Sequence, residues 1–445
     1  MSDQPGMTRR LARFVAGVDA DSIPVEIYGH AKVAFLDTLA VTYGGKDDPL
    51  VTKLRKHADA MGGRPSATII GQGEKRSLEQ AALINGAAAH ALDYDDTLVS
   101  FLGHPSVTLF PALLALAEGR GKSGRDFLAA YVVGLQAGGT IGACASLDHY
   151  LAGWHGTSTL GHMAAAAACA RLLGLDEERT GFALGIGASQ ASGLKRNFGT
   201  MCKPFHAGRA AQSGLLAALL AEDGFTAAMD VLEGPQGFFE AFRGKVNEEI
   251  LSFLGLGWDV VNLSQKYHAS CHATHSPLEA ARAVVTENGI SVSDIEKIRV
   301  FASEVTMQAA TNMNPTTGLA GKFSVPYCVA NALLRDVTGM GAFTDELVND
   351  PAVRELMAKI VVEKDPVMAG LESRVVVRTK DGREFTGVSD ILAQIPPLED
   401  KQVRVRAKFL DLVSPVLGQA RALEVAEMVE GLEEVADISQ VAERL

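Results

Sequence analysis

Between residues 8 and 265 the chain repeats one texture. Stretches with apolar residues at helical spacing follow one another, and alanine and glycine supply most of the apolar surface, as in "TLGHMAAAAACARLLGLD" and "HAGRAAQSGLLAALLAEDGF". Side chains this small let helix axes approach closely, so the pattern predicts tightly packed, mostly buried helices rather than an open bundle. "PVEIYGHAKVAFLDTLAVTYGG" carries a proline near its start and Gly-Gly at its end, the punctuation of a helix. "SLEQAALINGAAAHALDY", "SVTLFPALLALAEGRG", "GRDFLAAYVVGLQAGGTIG" and "RTGFALGIGASQASGL" read in the same way.

Near residue 290 the texture changes. "SDIEKIRVFASEV" and "ESRVVVRTKDGREFTGVS" are β-branched and alternating, and the second carries "KDG" as a hairpin turn. "SVPYCVANALLRDV" between them reads as helix, and the tail from "KQVRVRAKFLDLVSPVLG" onward is helical again. The expected fold is therefore mainly α. A large all-helical domain spans 1–266, a smaller α+β domain spans 267–398, and 399–445 packs back on the first.

Composition narrows the function. Lys plus Arg number 41 against 53 Asp plus Glu, a net charge of −12, which argues against nucleic acid or an anionic membrane surface as partner. The five cysteines are scattered with no C-x-x-C pair, so neither a disulfide framework nor a zinc ribbon is expected. "MSDQPGMTRRLARFVAGV" lacks the apolar core of a signal peptide, and the alanine-rich runs are short and interrupted; the expectation is a cytoplasmic protein without a membrane span.

Four stretches hold more His, Lys and Asp than their apolar surroundings explain. They are "NGAAAHALDYDDT" continuing to "GHPS" (Asp93, Asp95, Asp96, Thr97, His104), "AGWHGTST" (His155), "KRNFGTMCKPFHAG" (Lys203, His206) and "QKYHASCHATHSP" (Lys266, His268, Cys271, His272, His275). Each lies at a helix end or irregular join, where rigid scaffolds present working groups. Taken singly each has a plainer reading: D-Y-D-D-T as a helix terminator, His162 ahead of "MAAAAA" as a hydrogen-bonded core residue, Lys203-Pro204 as loop surface. Their coincidence in one chain favours a site.

Metal chemistry finds little support in spacing. His268, His272 and His275 would need a helix to converge, and Pro277 points to a loop; H-E-x-x-H is absent. The Asp-x-Asp-Asp element is similar to the acid of helical terpene cyclases, but aromatic residues make up only 6% of the chain, too few to line a carbocation cavity. There is no G-x-G-x-x-G after a strand, no P-loop and no G-x-S-x-G elbow. What remains is acid–base chemistry on a small carboxylated molecule, in which lysines clamp carboxylates while His and Asp move a proton.

Through these residues the chain resembles the MmgE/PrpD family along nearly its whole length. The shared elements are "KVAFLDTLAV", "NGAAAHALDYDDT", "GHPS", "GWHGTSTLG", "NFGTMCKPFHAGRAAQSG", "KYHASCHATH" and "FSVPYCVA". The family contains 2-methylcitrate dehydratases, cis-aconitate decarboxylases and iminodisuccinate epimerase. The resemblance implies a large helical domain with a smaller α+β domain, a homodimer, and neither metal nor organic cofactor. It places Asp93, Thr97, His104, His155, Lys203 and Lys266 in the active cleft, with Tyr327 completing it. Asp93, His104, His155, Lys203 and Cys271 are the expected catalytic residues. Thr97, Lys266, His272, Tyr327 and His206 are expected to bind substrate, while Asp95 and Asp96 shape the helix end.

The decarboxylase pattern has a histidine five residues after the signature lysine, where this chain has Cys271, and the dehydratases carry Asn where it has Asp95. The expected activity is thus an epimerase of the iminodisuccinate type, acting on a small di- or tricarboxylate. Dehydration of the 2-methylcitrate type and cis-aconitate decarboxylation are the alternatives, and a non-catalytic helical binding protein is the rival from another class.

Overall fold

The computed structural model describes residues 5–310, 312–335 and 337–445. It divides into two compact units: the chain up to Gln265 together with Pro397–Leu445, and Lys266–Pro396.

Up to Glu222 the described residues of the first unit form nine long helices in order: α1 (Met7–Gly17), α2 (Val25–Gly45), α3 (Pro49–Met61), α4 (Leu78–His90), α5 (Ser106–Arg120), α6 (Gly124–Leu151), α7 (Gly156–Leu173), α8 (Glu177–Gln190) and α9 (Cys202–Glu222). Their ends follow local chemistry. Ser77 and Gln80 form a reciprocal capping box at the start of α4, and Gly121 and Gly174, both left-handed, close α5 and α7.

The alanine and glycine texture determines how these helices meet. Helix α7 packs on α6, α8 and α9, and α4 packs on α9 and α5. A Cβ on Gly208 of α9 would come within 2.1 Å of the Leu83 carbonyl oxygen of α4, and one on Gly86 within 2.8 Å of the Gly208 Cα. The two backbones therefore touch. That contact sets the end of α4, with His90, against the start of α9, with Lys203 and His206. The helix Leu398–Leu417 belongs to this unit and lies along α2, burying Lys401 and Lys408. Helix α6 is long and apolar enough to cross a bilayer, but 94% of its most apolar window is buried within the protein, as in a core helix.

One feature departs from an all-helical unit. Ala67–Ile69 (β1) and Glu74–Arg76 (β2) form an antiparallel hairpin. Strands of three residues are too short to show a period-two pattern, so the sequence gives no sign of them.

The second unit is a four-stranded sheet in the order β4-β3-β5-β6, formed by Ile295–Ala302 (β3), Ile360–Lys364 (β4), Ser373–Thr379 (β5) and Glu384–Ser389 (β6). β3 and β4 run parallel and the other pairings are antiparallel. The expected "KDG" turn joins β5 to β6, with Gly382 at φ +87°. Helices His275–Glu287 and Val325–Arg335 bury Leu278, Ala281, Val325 and Val329 against the inward-facing Ile298, Val300, Val375 and Val377.

Candidate functional site

Four features of the first unit converge. Helix α4 ends at His90, and the turn after it reverses through Asp93, which holds a left-handed φ of +53°. This conformation is uncommon for residues with a Cβ, though aspartate tolerates it better than most. Thr97 then pairs with Ser264 through two backbone hydrogen bonds of 2.9 Å. The "GHPS" turn seats His104 against α7: its amide donates to Thr157 Oγ1 at 3.1 Å, and a Cβ on Gly103 would lie 2.6 Å from the Thr157 nitrogen. His155 precedes α7 as its N-cap residue, and Lys203 and His206 lie in the opening turns of α9.

The contacts are specific. Lys203 Nζ donates to Asp93 Oδ1 at 2.8 Å, and His104 Nε2 lies 3.8 Å from the same oxygen. Asp95 Oδ2 faces two imidazoles, His90 Nδ1 at 2.8 Å and His104 Nδ1 at 3.1 Å. His155 Nδ1 and His206 Nδ1 are 3.1 Å apart, the His90 and His155 rings stack at 5.9 Å, and Phe198 sets its edge on His155. Behind this layer Asp96 Oδ2 accepts from Ser106 Oγ at 2.5 Å, and Ser106 Oγ pairs with Tyr131 Oη at 2.7 Å. Lys408 Nζ holds both Asp37 and the Tyr94 carbonyl, so it grips the acidic turn from within the core.

Burial sets the charge states. Desolvation alone would raise Asp95, but His104 and His90 outweigh it and hold the carboxyl well below its usual range. His90 is pushed down to about 4, mainly by burial, and so donates a neutral ring N–H to the charged Asp95. His155 is driven well below its usual value by burial and then by His90, Lys203, His104 and His206. His206 is lowered by burial and by Lys203. Asp96 moves the other way, up to about 8, through burial and the nearby Asp37.

The structure thus brings Asp93, His104, His155, Lys203 and His206 together, with Thr97 on the same turn. It adds His90 and Asp95, which sequence reasoning missed. Asp95 and Asp96 do more than end a helix: both are buried and bonded to side chains. The signal was the interval from His90 to Asp95, which reads as a contact only once the turn between them is known. His162 lies in the core as expected, its Nδ1 2.6 Å from the Ser158 carbonyl.

In the second unit Lys266, His268, Cys271, His272 and His275 form their own cluster. His268 bridges Thr338 Oγ1 (2.8 Å) and Glu279 Oε1 (2.9 Å), and His275 packs edge-to-face with both His268 and His272. His275 starts a helix with Pro277 in its first turn, which corrects the expectation of a loop there, while Cys271 stays in the irregular segment, its amide on the Lys322 carbonyl. Tyr327, expected in the cleft, has its ring fully buried in this unit's core and its hydroxyl donates to the Ala342 carbonyl.

A metal-capable group lies elsewhere than the His268–His275 stretch. His90, Asp93, Asp95 and His104 place one ligand atom each within 4.8 Å of one another. Two imidazoles and two carboxylates suit a zinc-like ion. Lys203, however, already supplies a cation to Asp93, and both imidazole Nδ1 atoms are turned to Asp95.

Comparison with known proteins identifies relatives along nearly the whole chain. The MmgE/PrpD N-terminal domain matches residues 9–250 and the MmgE/PrpD C-terminal domain residues 268–434. A cis-aconitate decarboxylase of Aspergillus terreus is 29% identical, covering 99% of this chain and 96% of its own length. The cis-aconitate decarboxylase-like protein oryM of Aspergillus oryzae is 29% identical over 98% and 96%, and the human cis-aconitate decarboxylase 28% over 97% and 93%. These relatives favour the decarboxylase alternative over the expected epimerase.

Proposed function

The chain belongs to the MmgE/PrpD family, and on that premise we propose that it is a lyase that decarboxylates a small unsaturated tricarboxylate of the cis-aconitate type by acid–base chemistry. The observation that carries this reading is the Lys203–Asp93 ion pair beside His104 and His155 in a largely buried cluster, in a chain whose relatives are named as decarboxylases.

Each group has work to do. Cleaving the bond to the departing carboxylate leaves an electron pair on the allylic carbon framework, and carbon dioxide leaves uncharged. Cationic groups such as Lys203 stabilise the charge that develops on the remaining carboxylates, most effectively where water is excluded. The carbon framework then takes one proton. His104 and His155 are the donors at hand: the Nδ1 of each lies against a partner, Asp95 or His206, so proton delivery falls to Nε2, which in His104 lies 3.8 Å from the Asp93 carboxylate. Asp93, joined to Lys203, orients that ammonium.

The test is incubation of cis-aconitate with the protein in deuterated water, followed by proton NMR. The expected result is a five-carbon unsaturated dicarboxylate with one deuterium on carbon, together with released carbon dioxide. Hydration, or exchange without loss of carbon dioxide, would refute the decarboxylase reading. His155→Gln should reduce turnover by about two orders of magnitude, the usual scale for a lost general acid, while the thermal midpoint changes little.

A further inference from the structure

We infer that His206 acts through His155 as a proton relay rather than as a substrate ligand, the two rings sharing one proton between their Nδ1 atoms. The inference rests on the proton-transfer reading above and adds a path for the proton.

Two imidazole nitrogens 3.1 Å apart attract only when one carries hydrogen and the other a lone pair. A neutral imidazole has a single N–H, so the shared contact couples the two tautomers. When His206 donates, His155 carries its hydrogen on Nε2 and is an acid towards the reactant. When His155 donates, its Nε2 is bare and it is a base. Both rings are neutral at rest. His155, only 2% exposed, is held so by burial and by the groups packed around it: His90 from α4, His104 from the loop before α5, and Lys203 and His206 from α9. His206 is held so by burial and Lys203. The ring planes are tilted with centroids 5.3 Å apart, while Phe198 packs edge-on against His155 and limits its rotation. While a reactant covers its Nε2, a histidine buried to this degree needs a second route for protons, and His206, at 8% exposure the less buried of the two, supplies one.

The step balances. The N–H bond at His155 Nε2 breaks as a C–H bond forms on the decarboxylated carbon. The Nδ1 proton of His206 passes to His155 Nδ1, and a proton from solvent bonds to His206 Nε2. One proton enters from solvent and one leaves in the product, as replacement of a carboxylate by hydrogen requires. After product release the path resets: solvent protonates His155 Nε2, the His155 Nδ1 proton returns to His206 Nδ1, and His206 Nε2 releases its proton to solvent.

Two measurements on the whole protein test this. In nitrogen-15 NMR of the ligand-free protein, both Nδ1 resonances should fall between the positions of protonated and bare ring nitrogens. One fully protonated and one fully bare Nδ1 would overturn the relay. In kinetics, His206→Gln keeps an amide against His155 but has no second ring nitrogen to pass a proton. It should lower kcat tenfold or more with KM within twofold, and the bowed dependence of kcat on the deuterium fraction of the solvent should become linear. An unchanged kcat, or a linear dependence already in the wild type, would refute it. The NMR measurement needs no substrate, so failure to turn over cis-aconitate would refute the decarboxylase reading and leave the relay to be judged on nitrogen shifts alone.

Discussion

Replacing Asp96 by Asn should shift stability progressively in the variant's favour, relative to wild type, as pH rises from 5.5 to 7.5. Asp96 is 1% exposed, its Oδ1 has no hydrogen-bond partner among the described residues, and burial with the nearby Asp37 raises its carboxyl from 3.8 to about 8. A group whose folded value lies above its unfolded value favours folding most at low pH, and that advantage is lost as pH climbs through the folded value. Across two pH units below about 8 the folded state keeps its proton while the unfolded state has lost it. Each unit then costs about 1.36 kcal/mol, so wild type loses about 2.5 kcal/mol relative to a variant that cannot ionise. The offset between the two proteins also contains the unpaired Asn amide hydrogens, about 1–3 kcal/mol against the variant, but that term does not vary with pH. The buried histidines His30, His90 and His162, each lowered to about 4, titrate in both proteins and cancel in the difference. Urea unfolding followed by circular dichroism at half-unit pH steps measures the difference directly. A difference that stays flat, or one that shrinks with pH, would show that Asp96 is ionised in the folded protein and that its environment has been misjudged.

Lys203→Met should weaken inhibition by small dicarboxylates roughly tenfold to a hundredfold, the equivalent of about 1.5–3 kcal/mol for a charge-assisted contact; equal inhibition constants in variant and wild type would place the carboxylate clamp elsewhere. Gly208→Ala would push a Cβ into the Leu83 carbonyl oxygen, 2.1 Å away, and force α4 from α9. The expected loss is about 3 kcal/mol or more of stability, read as a lowered thermal midpoint, and a midpoint matching wild type would refute the backbone contact. Dialysis against EDTA should leave turnover intact because the Lys203 ammonium balances Asp93; lost activity restored by zinc would instead assign the His90, Asp93, Asp95 and His104 group to an ion.

Much of this protein is legible without coordinates because its helices carry their own punctuation. Ser77 and Gln80 cap α4, Gly121 and Gly174 stop α5 and α7, and the β-branched run of 373–379 with "KDG" makes a strand and its turn. These are local preferences, acting within a few residues. The polar residues at the helix ends were readable for a similar reason, since Asp93, His104, His155 and Lys203 interrupt an apolar texture that does not need them. Pairing was not readable. Asp95 meets His90 and His104 only once the turn after α4 closes and the "GHPS" turn packs on Thr157, and His155 meets His206 only because α7 packs on α9, where Gly214 lies against Ala165. Tyr327 shows the same limit: its motif carries no sign that its ring packs into the core of the second unit. Charge state lies further still from the sequence. Three aspartates stand within four residues, yet one is paired with a lysine, one is held ionised by imidazoles and one is driven towards its neutral form. Desolvation and the neighbours each carboxylate meets decide that difference, and both are properties of the folded protein.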